Sequence, residues 1–389
     1  MWEQRSVKKR VPDYGFWLCL LVMFGAALVM TKVEIGKEYT DFRTHSRWAV
    51  GEPLEPKFDK FYFYPVWHFC VKAVNWLVPV GREWSAAFVT ACFLGAAGGV
   101  LYLFVKKEIG KKWPLWKCAC FTISLLFVTA LYLPWFNKEV YLGQSSPTIW
   151  HNPTNLAVKP IALLAFLYFE KLYRDRETVE NRFFVLLSMF LLFSCFVKPS
   201  FIQGFLPAVV VFLFLELIPN RGNSFKFSLK AACMFLPSGL YFIAQYLMMF
   251  DSTGTRSIGI QPFAVMRLDS PNPLVSILLG IAFPLFVVLA LGRKRVFADK
   301  ALLLSILFYS TSLLEFVLLI EETEAASGNF EWALQLAMFV LFVMTALRFY
   351  QTNWKRKWVR FVGNFLLLYH VISGFWYYIW ILIFSPWQC

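Results

Sequence analysis

Residues 182–219 read RFFVLLSMFLLFSCFVKPSFIQGFLPAVVVFLFLELIP, an apolar stretch interrupted by Lys198 and Pro199. Proline disfavours continuation of a helix and lysine is costly in lipid. The stretch therefore predicts a short helix, a corner resting near water or in a protein-lined cavity, and a second helix. Comparable apolar runs lie at about 14–31, 84–105, 114–136, 155–172, 182–197, 200–219, 228–250, 274–291, 301–320, 332–349 and 361–384. At about 1.5 Å per residue such runs suit the roughly 30 Å of bilayer hydrocarbon. The expected fold is all-α: a polytopic transmembrane helical bundle of about eleven helices, one integral membrane domain over residues 1–389.

Composition agrees. The chain is 59% hydrophobic and 16% charged, more apolar surface than a soluble domain of 389 residues could hide from water. The formal charge of +14 would suggest nucleic acid in a soluble protein. Here the basic residues concentrate in short loops, so they are read as topology and nucleic acid is excluded as a partner. The partner implied is the lipid bilayer. Of the eight cysteines, six lie in or beside apolar runs and only Cys70 and Cys389 stand elsewhere, which supports neither a disulfide framework nor a cysteine metal site.

An N-terminus in the cytoplasm makes every inside loop basic: Lys106 to Lys112, Arg174 to Arg182, Arg221 to Lys230, Arg293 to Arg295, and Lys355 to Arg360. The external loops are then 32–83, 137–154, 251–273 and 321–331, with the C-terminus external in a plasma (inner) membrane. Phe61 to Val80 is apolar but contains Pro65, His68, Lys72 and Asn75. It reads as an amphipathic helix lying on the outer interface, with Tyr62, Tyr64, Trp67 and Trp76 at headgroup depth.

Three external segments hold the chemistry. After the first helix, KEYTDFRTHSRWAVGEPLEPKFDKFYFYPVWHF offers Asp41 as a catalytic general base or metal-coordinating carboxylate. His45, four residues on, stands beside it on a helix. The next segment, YLGQSSPTIWHNPTNLAVKP, supplies Gln144, His151, Asn152 and Asn155 as donors and acceptors for sugar hydroxyls, and Trp150 as a stacking face. Lys159 and Lys198 would meet a phosphate, as would Arg256 or Arg267 from the loop DSTGTRSIGIQPFAVMRLDSPNP. The third segment, EETEAASGNFEW, adds Glu322, Asn329 and Trp332 to the substrate-binding set. Glu315, inside the preceding helix, needs a partner, either Arg256 or Arg267, or a divalent cation (Mg or Mn) shared with Asp41. The plainer alternatives are a solvated loop, helix capping and snorkelling lysines. His370 reads as a satisfied packing residue.

The segments DFRTHSRWA, YPVWHF, WHNPTNLAVKP, FVKPSF, SGNFEW and YHVISGFWYY, in this order and topology, resemble those of uncharacterised bacterial membrane proteins of the GT-C superfamily type. GT-C enzymes are polytopic glycosyltransferases with an acidic catalytic residue in a large first outer loop. The resemblance covers nearly the whole length and implies transfer of a sugar from a polyprenyl-phosphate-linked donor to a glycan or glycolipid acceptor on the outer face. Asp41 would deprotonate the acceptor and Lys159, Lys198 and Arg256 or Arg267 would meet the leaving phosphate. The chain departs from the better-known pattern in lacking a paired Asp-Asp or Asp-Glu, because Thr40 and Phe42 flank Asp41. A polysaccharide polymerase is the alternative enzyme. A transporter or flippase is the non-enzymatic alternative, for which inverted repeats and helices broken at midplane are expected, and the sequence displays neither.

Overall fold

The computed structural model describes residues 13–38, 40–52, 63–137, 145–218, 225–249, 257–322 and 328–384. Among them are fifteen helices and one two-stranded sheet. In chain order the helices begin with α1 (Tyr14–Gly36), α2 (Asp41–Ala49), α3 (Val66–Leu77), α4 (Arg82–Ile109) and α5 (Leu115–Phe127). Then come α6 (Pro153–Arg174), α7 (Asn181–Val197), α8 (Ser200–Leu217) and α9 (Phe225–Met249). Strand β1 (Ile258–Ile260) precedes α10 (Ala264–Asp269), α11 (Pro273–Leu291), α12 (Arg293–Ala298) and α13 (Lys300–Leu318). Strand β2 (Leu319–Glu321), α14 (Glu331–Gln351) and α15 (Lys357–Ile383) complete the series. The strands pair antiparallel, with Ile258 opposite Glu321.

Eight of these helices, α1, α4, α8, α9, α11, α13, α14 and α15, are long and apolar enough to cross a membrane, and the chain is a multi-pass membrane protein. The expected count of about eleven is corrected accordingly. The run 182–197 forms α7, apolar but one residue short of the eight, at 17 residues. The run 155–172 forms α6, whose polar start and interior Lys159 set it apart from a plain span. The run 114–136 is helical only to Phe127, giving α5 13 residues, about 20 Å.

Tertiary contacts impose that early stop, because residues 128–131, apolar but for Thr129, remain buried after the helix ends. Their backbone bonds go to two neighbouring helices. Leu131 N donates to Leu279 O on α11 (3.0 Å), and Tyr132 N donates to Ser373 Oγ on α15 (3.2 Å). His370 on α15 donates from Nδ1 to Thr129 O (2.6 Å) and accepts at Nε2 from Phe283 N (3.3 Å). Phe283 N needs that acceptor because α11 is itself broken at Ile281, where φ is −122° and ψ is 20°. A Cβ at Gly374 would overlap the Phe127 carbonyl oxygen, so only glycine lets the end of α5 lie against α15. Non-helical backbone at membrane depth is tolerable where protein satisfies it, and His370 and Ser373 do so here. His370 is thus the packing residue expected. The helix breaks absent from the sequence reading are present halfway along α11 and along the expected third run.

Close backbone approach also joins α1 to α4. A Cβ on Gly98 would sit 2.8 Å from Cys19 O, and Gly95 and Gly99 come similarly close to Leu20 O and the Phe16 ring. The central helix is α14, with 89% of its apolar window buried against 28% for α1. The amphipathic helix expected within residues 61–80 is α3. It turns Trp67, His68 and Val71 inward and leaves Phe69, Trp76 and Leu77 exposed. Trp67 faces the protein: its indole donates to Thr90 Oγ1 on α4 at 3.1 Å.

Candidate functional site

The polar segments meet where α2 and α6 begin, α7 turns into α8, and α14 begins. Each is held there for a local reason. Thr40 caps α2 by accepting from Arg43 N, and its hydroxyl donates to Glu34 O at 2.8 Å, which fixes α2 against the end of α1. Asp41 is then the first residue of α2, where the exposed N–H groups favour a carboxylate. Asn152 caps α6 by accepting from Asn155 N at 2.9 Å, and Pro153 follows at the first helical position. Lys198 adopts an extended φ of −166° that ends α7 and turns its side chain inward.

Asn152 is the centre of the arrangement. Its Nδ2 donates to Asp41 Oδ2 at 2.7 Å, and its Oδ1 accepts from Lys198 Nζ at 3.0 Å and from Thr154 Oγ1 at 3.0 Å. Lys198 also donates to Thr154 Oγ1 (3.2 Å) and lies over the Trp332 ring at 4.3 Å. Asp41 is half-buried, whereas Asn152 and Lys198 are buried. The second Asp41 oxygen, Oδ1, has no hydrogen-bond partner among the described residues. His151 packs 5.8 Å from Trp332, ring centre to ring centre. Burial holds its imidazole below the usual histidine range, with Asp41 drawing it up and Lys198 pressing it down. Asn155 Nδ2 donates to Gln335 Oε1 on α14 at 3.0 Å. Trp332 Nε1 donates to Asn329 Oδ1 (3.4 Å), and Asn329 Nδ2 donates to Glu321 Oε2 (2.6 Å).

Asp41, His151, Asn152, Asn155, Lys198, Asn329 and Trp332 are thus brought into one contiguous cluster. Other expected residues fall outside it. His45 shares a helix face with Asp41, and its Nδ1 bonds to His68 Nε2 at 2.8 Å; His151 is electrostatically coupled to Asp41. Trp150 is fully buried, its ring packed against Phe127 and Tyr378. Lys159 donates to Pro147 O (3.2 Å) and Thr148 Oγ1 (3.4 Å), anchoring the loop that carries His151. Glu322 is exposed and accepts from Ser257 Oγ at 2.5 Å, while its neighbour Glu321 points inward to Asn329. Arg267 is exposed on α10. Glu315 is met by Gln203 Nε2 at 3.3 Å, and by no arginine among the described residues. Arg256 and Gln144 lie outside the described residues.

Among the described residues no three His, Cys, Asp or Glu side chains gather as a metal-binding set. The donor set does not fit a cation shared by Asp41 and Glu315, since amides are the partners of both carboxylates. Gln335, Thr154 and Glu321 belong to the cluster and were missed in the sequence. Gln335 sits one turn after Glu331 on α14, a spacing that marks a shared face; nothing local marks Thr154 beyond its place in the cap. Compared with models of known protein families and with curated proteins, the chain matches none.

Proposed function

We propose that the chain is a GT-C-like membrane glycosyltransferase that transfers a sugar from a polyprenyl-phosphate-linked donor to a glycan or glycolipid acceptor, working at the end of the bundle where Asp41 lies. One observation carries the reading. A carboxylate and an ammonium from segments far apart in the chain bind opposite atoms of the Asn152 amide, so neither neutralises the other directly. Such transfer needs a base at the acceptor hydroxyl and a cation at the departing phosphate. Asp41, with Oδ1 uncommitted, takes the acceptor proton. Lys198, largely withdrawn from water, attracts the phosphate more strongly than an exposed lysine would. Trp332 and the Asn155–Gln335 amides orient the sugar, and His151 stays neutral beside them. No step is assigned to Arg267, Glu322 or Trp150. The basic loop residues Arg174 and Arg176 lie at the other end of α6, which supports a working face on the external side of the membrane.

The test is Asp41→Asn in membranes supplied with polyprenyl-phosphate-linked radiolabelled sugar. Incorporation into glycan is expected to fall by about 100-fold or more at normal protein level. Unchanged incorporation removes Asp41 from the reaction and the proposal with it. The breaks in α5 and α11 favour a second reading, translocation of a lipid-linked glycan. It is distinguished by movement of a fluorescent lipid-linked sugar across reconstituted vesicles without covalent transfer.

A further inference from the structure

At the opposite end of α6 from Asn152, some 30 Å away at about 1.5 Å per residue, a cleft of about 740 Å³ opens between α6, α8, α12, α13 and α14. Its inner wall is satisfied. Glu216, buried near the end of α8, accepts from the Tyr173 hydroxyl and from Lys300 Nζ (2.6 Å). Arg348 on α14 is ion-paired with Asp299 and reaches Glu108 at 3.4 Å. The rim is different. Arg295, on α12, has no side-chain partner among the described residues and is exposed. Arg176, just beyond α6, lies over the Tyr173 ring, donates from Nη1 to Tyr173 O at 3.3 Å and has as its salt-bridge partner the exposed Glu177, at 3.8 Å. Five cations line the cleft against three carboxylates, and the surplus positive charge falls on these two guanidinium groups.

We propose that this cleft binds a phosphate-bearing anion, held between Arg176 and Arg295. Two planar guanidinium forks from separate elements suit a tetrahedral oxyanion, which can accept two bonds from each. Arginines that merely answer helix C-termini are a sufficient account of Arg174 and Arg348, which lie in the last turns of α6 and α14. That account takes up only part of Arg176, whose Nη1 reaches the Tyr173 carbonyl while Nη2 has no partner among the described residues, and it leaves Arg295, in the last turn of α12, with no side-chain partner among the described residues. The surroundings suit a phosphate carried on lipid: exposed Phe297 lies on α12 itself, and exposed Leu289 and Ile218 lie on the segments leading to and from the cleft. A phosphate in solution has the same chemistry. The proposal is independent of the transfer reaction assigned to the Asp41 end.

The experiment uses the full chain in detergent with two probes. Native mass spectrometry counts retained phosphatidylglycerol against phosphatidylcholine, and calorimetry titrates inorganic pyrophosphate. Saturable binding of either probe is expected, phosphatidylglycerol identifying a lipid source and pyrophosphate a soluble one. The double variant Arg176→Ala/Arg295→Ala is expected to weaken that binding at least tenfold. Arg267→Ala, an equally exposed arginine far along the chain on α10, is expected to leave it unchanged. Arg295→Lys, which retains charge without the fork, is expected to fall between, and serves alone if the double variant does not fold. Failure of both probes to bind saturably overturns the proposal, as does equal loss in Arg267→Ala.

Discussion

At the Asn152 end of α6, Asp41 and Lys198 bind opposite atoms of one amide and no direct bond joins them. At the Arg174 end, Glu216 and Lys300 are in direct contact at 2.6 Å, and Asp299 is paired with Arg348. A direct pair satisfies both ions and leaves little for a ligand. An amide placed between the ions gives each one hydrogen bond and preserves the charge of both. The difference teaches where to look for chemistry in a bundle whose two ends are both polar: charges kept apart by a neutral relay are poised, and charges in contact are structural. Breaking a buried pair by removing one partner leaves an uncompensated charge. Breaking a relay changes electrostatics more than packing.

The largest effect on stability is expected from Glu216→Leu. It strands Lys300 and the Tyr173 hydroxyl, and because Lys300 is 36% exposed and can turn to water, the loss falls at the lower end for such pairs, about 3 kcal/mol. Denaturation in detergent measures it, and sugar transfer per folded molecule is expected to change less than threefold. A comparable loss of transfer would mean that the two ends are not separate in function.

The relay is broken most cleanly by Asn152→Asp. Aspartate caps a helix as well as asparagine does, so unfolding free energy is expected to move by less than about 1 kcal/mol. The new carboxylate takes Lys198 as a direct partner and faces Asp41 with like charge. Transfer is expected to fall about 100-fold, some 2.7 kcal/mol. Retained activity in Asn152→Asp would show that separation of the charges is not what matters at this end.

Much of this geography is legible in residue order. Lys198–Pro199 announces the corner, Asp41 and His45 at helical spacing announce α2, and Asn152–Pro153 announces a capped helix. The illegible parts are those set by contacts between distant segments. Val128 to Leu133 is as apolar as the helix before it, and the stop at Phe127 depends on Gly374, His370 and Leu279. Which of Glu321 and Glu322 faces inward is settled by the register of a three-residue strand, too short for its alternation to be read beforehand. Trp150 and Trp332 look equally suited to stacking on a sugar, and only packing assigns the first to the core and the second to the Lys198 ammonium.

Between pH 7 and pH 5 histidine protonation bears on the two ends differently. His45, His68 and His151 lie at the Asp41 end, His370 lies midway along α15, and the Glu216 cleft is lined by no histidine. Burial among Tyr64, Trp48 and Trp67, against His45, lowers the His68 imidazole to about 3 from an ordinary 6.5. Below pH 6.5 the unfolded chain takes a proton that folded His68 refuses, so stability falls as pH drops from about 6.5 towards 3. At pH 5 the loss from this group is about 2 kcal/mol. His68→Gln, which keeps a bond to His45, is expected to lessen the change in unfolding free energy between pH 7 and pH 5 by the share of this one group, about 2 kcal/mol. An equally steep change in that variant would move the acid sensitivity elsewhere.

The smallest expected effect is the one that separates geometry from residue type. Arg267 and Lys198 are both cations that a reading of the loops assigns to the donor phosphate. Lys198 is buried, bonded to Asn152 and Thr154, and seated over Trp332, whereas Arg267 is exposed on α10 with no side-chain contact among the described residues. A cation in water interacts with a phosphate several ångströms away weakly and is screened further by salt. Arg267→Ala is therefore expected to change both stability and transfer by less than about 0.5 kcal/mol, roughly twofold in rate. Lys198→Ala in the same membranes is expected to reduce transfer about 100-fold, because a partly dehydrated ammonium is lost from beside the reacting groups. Equal losses in the two variants would mean that the chain reads phosphate through overall positive charge at this end, and that the Asn152 relay is an accident of packing.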